Sequence, residues 1–472
     1  MKHLIRLLKL PKKQQEYNKI KKGYSPGIIL IYSFIAGITA GTILLSLPIS
    51  YRGESLSFID RLFTATSALC VTGLVVADTG TKFTYFGQIV ILVLIQLGGL
   101  GLMTFSTIFT LLIRRKISVK EKLIIREGLN KYGISETHKV IRYIIVFTFV
   151  IEIIGAIILF HRWHSIIPSS KKRFYFALFH SISAFCNAGF SLFSDSLVRF
   201  WNDYVTVLTI TLLIIIGGIG FFANYEIKNF IVNKLPFLKK VFKLKSFYLH
   251  TSLHTKIVII TTIILILIGI FLINIFEFSG VLKEKNIENR IIIAYFQSIT
   301  ARTAGFNTVN IGSLSSSSLI ILIMLMFIGG SPGSTAGGIK TTTAATLFLT
   351  LRSLLKGRQG VEVYSRTIPQ IIIMRAIVIF TLALLLILFS FAIILAVEKS
   401  KFSSMSILFE VVSAFGTVGL TTGITSALSP LSKIILVLLM FTGRIGPLTI
   451  AVSITEKDRQ LVKYPEENIS VG

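Results

Sequence analysis

Four tetrapeptides ending in glycine invite one particular chemistry: CVTG (70–73), CNAG (186–189), RTAG (302–305) and GTVG (416–419). Glycine has no Cβ and reaches backbone angles that can aim peptide carbonyls where other residues cannot. A dehydrated cation needs oxygen ligands in place of its water, and rings of backbone carbonyls supply them. A second stretch, GGSPGSTAGGIKTTT (329–343), raises a different chemistry. A phosphate-cradling loop places Lys and Ser/Thr directly after its second glycine. Gly333 and Gly338 have the right separation, but Ile339 intervenes and Lys340 arrives one position late. Taken alone, the preceding LIILIMLMFI (319–328) reads as a buried strand. What either stretch does depends on the elements that hold it.

Those elements are set by composition. Hydrophobic residues make up 53% of the 472, only 15% are charged, and the mean hydropathy is +0.78. A soluble chain of this length cannot hide so much apolar surface, which points to a polytopic membrane protein. Residues 1–26 are basic and amphipathic, without an apolar signal core or small-residue cleavage site, and read as a cytoplasmic segment. The formal charge of +28 suggests a polyanionic ligand until its location is considered. Of 49 Lys and Arg, 29 fall in presumed cytoplasmic segments, 14 in external ones, and six at membrane depth or its edge. That is the positive-inside pattern, and it accounts for the charge without nucleic acid. Cys70 and Cys186 form neither a disulfide framework nor a metal cluster.

A spanning helix needs about 20 apolar residues. Runs near 27–48, 84–113, 141–160, 204–223, 256–277, 317–350, 371–397 and 430–454 give eight spans, with both termini on one side. Between alternate pairs lie half-apolar segments too short to cross: LFTATSALCVTGL (62–74), LFHSISAFCNAGF (178–190), YFQSITARTAGF (295–306) and LFEVVSAFGTVGL (408–420). Their glycines, Gly73, Gly189, Gly305 and Gly419, are 116, 116 and 114 residues apart, and the third copy is one residue shorter. A second glycine mark follows 24 to 28 residues later: QLGGLG (96–101), IIGGIG (215–220), FIGGSPG (327–333) and FTGRIG (441–446). Membrane helices are rich in small residues for packing alone, but two coincident marks in four units make a fourfold repeat.

The expected fold is therefore an all-α polytopic membrane protein. It has four tandem helix–pore-loop–helix repeats, with eight transmembrane helices and four re-entrant pore helices, around a pseudo-fourfold pore. Non-helical backbone inside a bilayer is tolerated where it is buried or lines a water-filled path. Four short helices meeting at one axis would each direct about −0.5 charge from their C-terminal ends toward it. No acidic side chain is needed for a cation to be held there. The segmentation is 1–26 cytoplasmic, 27–113 repeat 1, 114–140 loop, 141–223 repeat 2, 224–255 loop, 256–350 repeat 3, 351–370 loop, 371–454 repeat 4 and 455–472 tail.

With these stretches in hand the chain resembles the Ktr/Trk/HKT potassium transporters, and within them the KtrB-type membrane subunits of bacterial Ktr systems. The carrying segments are SALCVTGLVVADTG (67–80), QLGGLGLMTF (96–105), AFCNAGFSL (184–192), TARTAGFN (300–307), FIGGSPGSTAGGIKTTT (327–343), SAFGTVGLTTG (413–423) and FTGRIGPLT (441–449). The resemblance implies a selectivity filter at Val71, Thr72 and Gly73; Asn187, Ala188 and Gly189; Thr303, Ala304 and Gly305; and Thr417, Val418 and Gly419. In related plant proteins a serine at the first glycine accompanies sodium transport, so four glycines favour K+ as the transported ion. Residues 329–340 become an intramembrane gate loop on the cytoplasmic side of the filter, formed by Gly329, Gly330, Ser331, Gly333, Ser334, Thr335, Gly337, Gly338 and Lys340. Arg444 lies at the corresponding depth of repeat 4 as a gate or electrostatic barrier. A guanidinium there costs at least ~2.5–3.5 kcal/mol, which marks it as functional. Arg302, at a filter entrance, is expected to turn away from the axis into the external vestibule wall. Glu152 and Glu410 are expected to brace the scaffold by hydrogen bonding.

The resemblance also implies a homodimer on a cytosolic RCK-type regulatory ring that binds ATP, ADP or an NAD-type nucleotide. The chain has no G-x-G-x-x-G after a strand, so any nucleotide belongs to that partner. It implies a bacterial plasma membrane location. Inward movement of one positive charge gains about 2.3 kcal/mol per 100 mV of inside-negative potential, so uptake needs no ATP hydrolysis in this chain. Sodium coupling stays open at this point. Tetrameric potassium channels usually carry one unit per chain, and voltage sensors need an Arg-rich span that is missing. An intramembrane enzyme would need paired catalytic groups, and His180 has no carboxylate nearby in sequence. No enzymatic activity is expected.

Overall fold

The computed structural model describes residues 26–101, 137–234, 251–358, 360–399 and 401–454. Residues 1–25 of the expected cytoplasmic segment, most of the 114–140 loop, half of the 224–255 loop, the end of the first repeat at 102–113 and the tail at 455–472 lie outside the described residues. Four helices are long and apolar enough to cross a membrane unaided: α1 (Pro26–Ser46), α4 (Thr137–Arg162), α8 (Leu253–Phe276) and α12 (Gln370–Glu398). These are the first spans of the four expected units. Only 22–33% of their apolar windows is buried, so most of their side chains face outward, as lipid-facing helices do.

Each is followed by a short helix of opposite character: α2 (Phe58–Leu69), α5 (Ser170–Phe185), α9 (Ile287–Thr300) and α13 (Ser404–Gly416). Their C-terminal halves are buried on every side, as in the unbroken run Phe63–Leu69. Ser57 starts α2 by accepting from the Asp60 N–H, and Ser403 starts α13 by accepting from the Ser406 N–H. These caps satisfy backbone donors that a helix start leaves open.

The second spans are α3 (Tyr85–Leu100), α6 (Tyr204–Ile219) with α7 (Phe221–Lys234), α10 (Ser316–Phe327) with α11 (Thr341–Leu355), and α14 (Pro430–Ile445) with α15 (Pro447–Ile454). A break was expected only in the third unit. Instead α6 and α7 bend by 105° at Gly220 and α14 and α15 by 89° at Gly446, and α3 also ends at a glycine. Gly101, Gly220 and Gly446 have φ of +80°, +98° and +97°, which glycine alone adopts at little cost. The strand expected at 319–328 is not one: those residues continue helix α10 through Phe327. Flanking length explains the difference, since the apolar run begins after the N-cap Ser315 and extends well beyond a strand's usual reach. The all-α expectation also gains one exception. Residues Glu362–Val363 and Arg366–Thr367 form a two-stranded antiparallel hairpin, turned by Tyr364 and Ser365 at positive φ.

The packing is cyclic. Each short helix lies against the first span of its own unit and against the second span of the preceding one. Thus α5 meets α3, α9 meets α6, α13 meets α10, and α2 closes the circle on α14. Lys433 on α14 reinforces that closure by donating to Asp60 on α2 at 2.8 Å. Glu277 and Glu398, where α8 and α12 end, accept from Ser315 and Ser429, where α10 and α14 begin. The same hairpin lock therefore recurs in the third and fourth units.

Candidate functional site

The four glycines adjoin one another in a ring. A Cβ placed on Gly73 would lie 2.3 Å from the Ala188 carbonyl oxygen, and one on Gly189 2.8 Å from that of Ala304. The circuit continues from Gly305 to the Val418 oxygen at 2.5 Å, and from Gly419 to the Thr72 oxygen at 2.2 Å. Each glycine thus abuts the residue that precedes the next glycine around the ring, and backbone on that side leaves no space for a methyl. Backbone angles repeat as well. Val71, Asn187, Thr303 and Thr417 have φ of +57°, +60°, +70° and +50°, and Gly73, Gly189, Gly305 and Gly419 have +91°, +68°, +79° and +90°. Left-handed backbone at non-glycine residues is costly and concentrates at functional sites. Here it recurs four times at one position.

A hydroxyl in each short helix holds that geometry, and sequence reasoning did not assign it. Ser67, Ser183, Thr300 and Ser413 donate to the carbonyls of Leu74, Phe190, Phe306 and Leu420, at 2.5–2.8 Å. Their own carbonyls accept from the N–H groups of Thr72, Ala188, Ala304 and Val418. One residue thus clamps the turn on both sides of the glycine. The signal was present as a Ser or Thr six residues before each glycine, or five in the shorter third copy. That copy is one residue shorter between the hydroxyl and its glycine, so the deletion falls between helix and turn. The second glycine mark has a use too. A Cβ on Gly98, Gly217 or Gly443 would sit 1.9, 2.0 or 1.8 Å from the last carbonyl of the short helix in the same unit, that of Leu69, Phe185 or Phe415.

All four glycines line one cavity of about 430 Å³, together with Asp78, Asp195, Asn307 and Asn310. Burial works to raise the Asp195 carboxyl, but the hydrogen bond and charge of Arg199 outweigh it and hold the group below its ordinary range.

The 329–340 loop lies against the other side of the ring. Its ends pair, with Gly329 N–H donating to the Ile339 carbonyl at 2.9 Å. Ser331 and Thr335 N–H groups donate to Gly218 and Gly217, the Thr335 hydroxyl to the Phe185 carbonyl, and the Ser331 and Thr341 hydroxyls bond each other. A Cβ on Gly337 would strike the Thr417 hydroxyl at 2.1 Å, which fixes the loop next to the fourth turn. Lys340 Nζ donates back into the loop, to Ala336 O at 2.7 Å and Gly337 O at 3.5 Å. Ser334 Oγ accepts from the Ala336 N–H, while Gly330 O accepts from the Thr341 N–H. Gly333 O accepts from the Phe221 N–H, so the loop also joins α7. Arg444 bridges the loop to the first unit, donating to Thr335 O through one guanidinium nitrogen and to Gly98 O through the other.

Arg302 corrects the sequence reading. It is buried, and it donates weakly to Thr262 and to Gly329 O rather than standing in an external vestibule wall. Glu152 accepts from Gln96 Nε2 at 3.1 Å, and its carbonyl accepts from the Ser181 hydroxyl, joining three elements. Glu410 accepts from the Thr421 and Thr425 hydroxyls and the Thr422 N–H, just past the fourth turn. Both act as braces. His180 is fully buried between Phe176 O and Ser191 Oγ.

Among the described residues no group of three or more His, Cys, Asp or Glu could hold a metal. The ring of glycines between cavity and loop is bordered by peptide oxygens instead. In the comparisons, residues 5–462 match the family described as TrkH, cation transport protein. The chain is 38% identical to the Ktr system potassium uptake protein B of Bacillus subtilis, covering 95% of this chain and 97% of that one. It is 37% identical to the potassium/sodium uptake protein NtpJ of Enterococcus hirae, covering 96% and 99%. The crystal structure of the potassium transporter TrkH from Vibrio parahaemolyticus is similar in fold, with a TM-score of 0.70 at 18% identity over 92% of this chain and 86% of that one. A cyclic packing of four units and a family match over nearly its whole length place this chain in the TrkH family of cation transport proteins, which are transporters and not enzymes.

Proposed function

We propose that this chain is the ion-conducting, KtrB-type membrane subunit of a bacterial potassium uptake system. The observation that carries the reading is the ring in which each filter glycine abuts the carbonyl before the next. Four left-handed turns at equivalent places supply repeated peptide oxygens to one axis, as dehydrated K+ requires. The short helices are then re-entrant pore helices, the 430 Å³ cavity is the external vestibule, and the 329–340 loop is the gate. Hydrogen bonds from that loop to the second, third and fourth units and, through Arg444, to the first support a position across the path. The names of the relatives, potassium uptake and potassium/sodium uptake, support K+ as cargo and keep Na+ dependence in play.

The driving force in this reading is the membrane potential, and both termini are cytoplasmic in a bacterial plasma membrane. The chain works as a homodimer with a cytosolic RCK-type ring that carries the nucleotide, as the Ktr system naming of relatives suggests. The test is K+ and Na+ flux into liposomes holding this chain alone and with candidate ring subunits. Potassium entry driven by an inside-negative potential supports the proposal, and absence of any cation flux under every condition overturns it.

A further inference from the structure

On the face of the gate loop opposite the vestibule lies a second cavity, of about 160 Å³. Its wall includes Lys340, Thr343, Ile379, Phe415, Arg444 and Leu448, with no acidic residue. Two basic side chains therefore share one small space, and among the described residues neither takes part in an ion pair. Both are held only by neutral carbonyls, those of Ala336 and Gly337 for Lys340 and those of Thr335 and Gly98 for Arg444. A guanidinium has five N–H donors and an ammonium three, so each keeps donors beyond these bonds. Charge in a low-dielectric site is costly unless it is paired, and two like charges across one cavity raise that cost. A single anion between them would convert repulsion into attraction at both.

The backbone adds to the same field. Helix α11 begins at Thr341 and α15 at Pro447, and Leu448 and Thr449 of the first α15 turn line the cavity. The Thr341, Thr343 and Thr449 N–H groups already donate to the Gly330, Lys340 and Gly446 carbonyls, so what these helix starts add is their positive partial charge. Apart from Thr343, the remaining wall is apolar. Ile379 lies on α12, where its neighbours Ile377, Val378 and Phe380 are exposed on the outward face.

We infer that this cavity binds an oxyanion of the phosphate class, as the phosphate of an anionic inner-leaflet lipid or as a free cytosolic phosphate. The occupied site supplies the counter-charge that Lys340 and Arg444 lack. Its functional consequence, a lower positive barrier beneath the filter and faster K+ entry, rests on the pore reading; the binding itself does not.

The test is the thermal unfolding midpoint of the purified full chain in detergent. Inorganic phosphate is compared with chloride at equal ionic strength, and phosphatidylglycerol with phosphatidylcholine. A saturable rise of several degrees is expected with at least one phosphate-bearing additive. A rise with phosphatidylglycerol alone identifies the lipid source, and a rise with inorganic phosphate identifies the free one. Lys340→Gln removes one cation, and Leu448→Trp fills the space without changing charge; each should abolish the rise. No rise with either additive, or a rise that survives in both variants, overturns the inference. Flux measurements are separate, so failure here leaves the pore reading intact.

Discussion

Replacing Arg444 by Ala tests the proposed gate at the residue that ties the loop to α3. In the proposed closed arrangement the guanidinium ties Thr335 in the loop to Gly98 on α3, so one of its two hydrogen bonds reports directly on loop position. A hydrogen bond from a charged donor contributes about 1.5–3 kcal/mol. If only the Thr335 bond distinguishes closed from open, its loss shifts the closed-to-open ratio by about 10- to 100-fold, since 1.4 kcal/mol is a factor of ten. The bonds from Ser331 and Thr335 N–H to Gly218 and Gly217 remain and keep the shift from being larger. Removing a positive charge from beneath the filter acts in the same direction. The assay is initial K+ uptake in cells lacking other potassium systems, normalised to the amount of protein in the membrane. Uptake should rise at least several-fold in Arg444→Ala, with Arg444→Lys intermediate, because an ammonium keeps the charge but cannot span two carbonyls as a planar fork does. Unchanged or reduced uptake by well-folded Arg444→Ala would refute the latch.

Other perturbations follow from the same geometry. Gly443→Ala puts a methyl 1.8 Å from the Phe415 carbonyl, within backbone that cannot yield. It should destabilise by about 1–3 kcal/mol or more, read as a lower unfolding temperature in detergent. Ser413→Ala removes both the donation to Leu420 O and the acceptance from Gly419 N–H, each worth about 0.5–1.5 kcal/mol. Its K+ over Na+ preference in liposome flux should fall while folding persists. Asp195→Asn removes a carboxylate from the vestibule and should raise the K+ concentration for half-maximal uptake at low ionic strength, an effect that salt screens away. Arg199 keeps that carboxyl below its ordinary range, so the charge persists at neutral pH and is lost only as external pH falls through the lowered value.

Much of this was legible because the chain states its motif four times. The glycines Gly73, Gly189, Gly305 and Gly419 stood out by spacing, and the structure brings all four together as a repeat requires. The break at 329–340 was legible because Pro332 and clustered glycines cannot continue an apolar helix. The breaks at Gly220 and Gly446 and the helix end at Gly101 were not, because one glycine in an apolar run equally serves close packing. Only a positive φ separates the two roles, and φ is set by what the next segment packs against. The clamping hydroxyls of Ser67, Ser183, Thr300 and Ser413 were in view as a recurring residue type, but their bond partners lie across a turn whose shape the sequence does not print. Arg302 was misplaced for a related reason: its partners, Thr262 and the Gly329 carbonyl, lie on other segments.

The most direct measurement is the anomalous density of Tl+, a potassium surrogate, in crystals of the purified protein. A peak on the axis bounded by Gly73, Gly189, Gly305 and Gly419, lost when Na+ replaces Tl+, is the predicted result. Thallium bound only away from those four turns, with none inside the ring, would contradict the account.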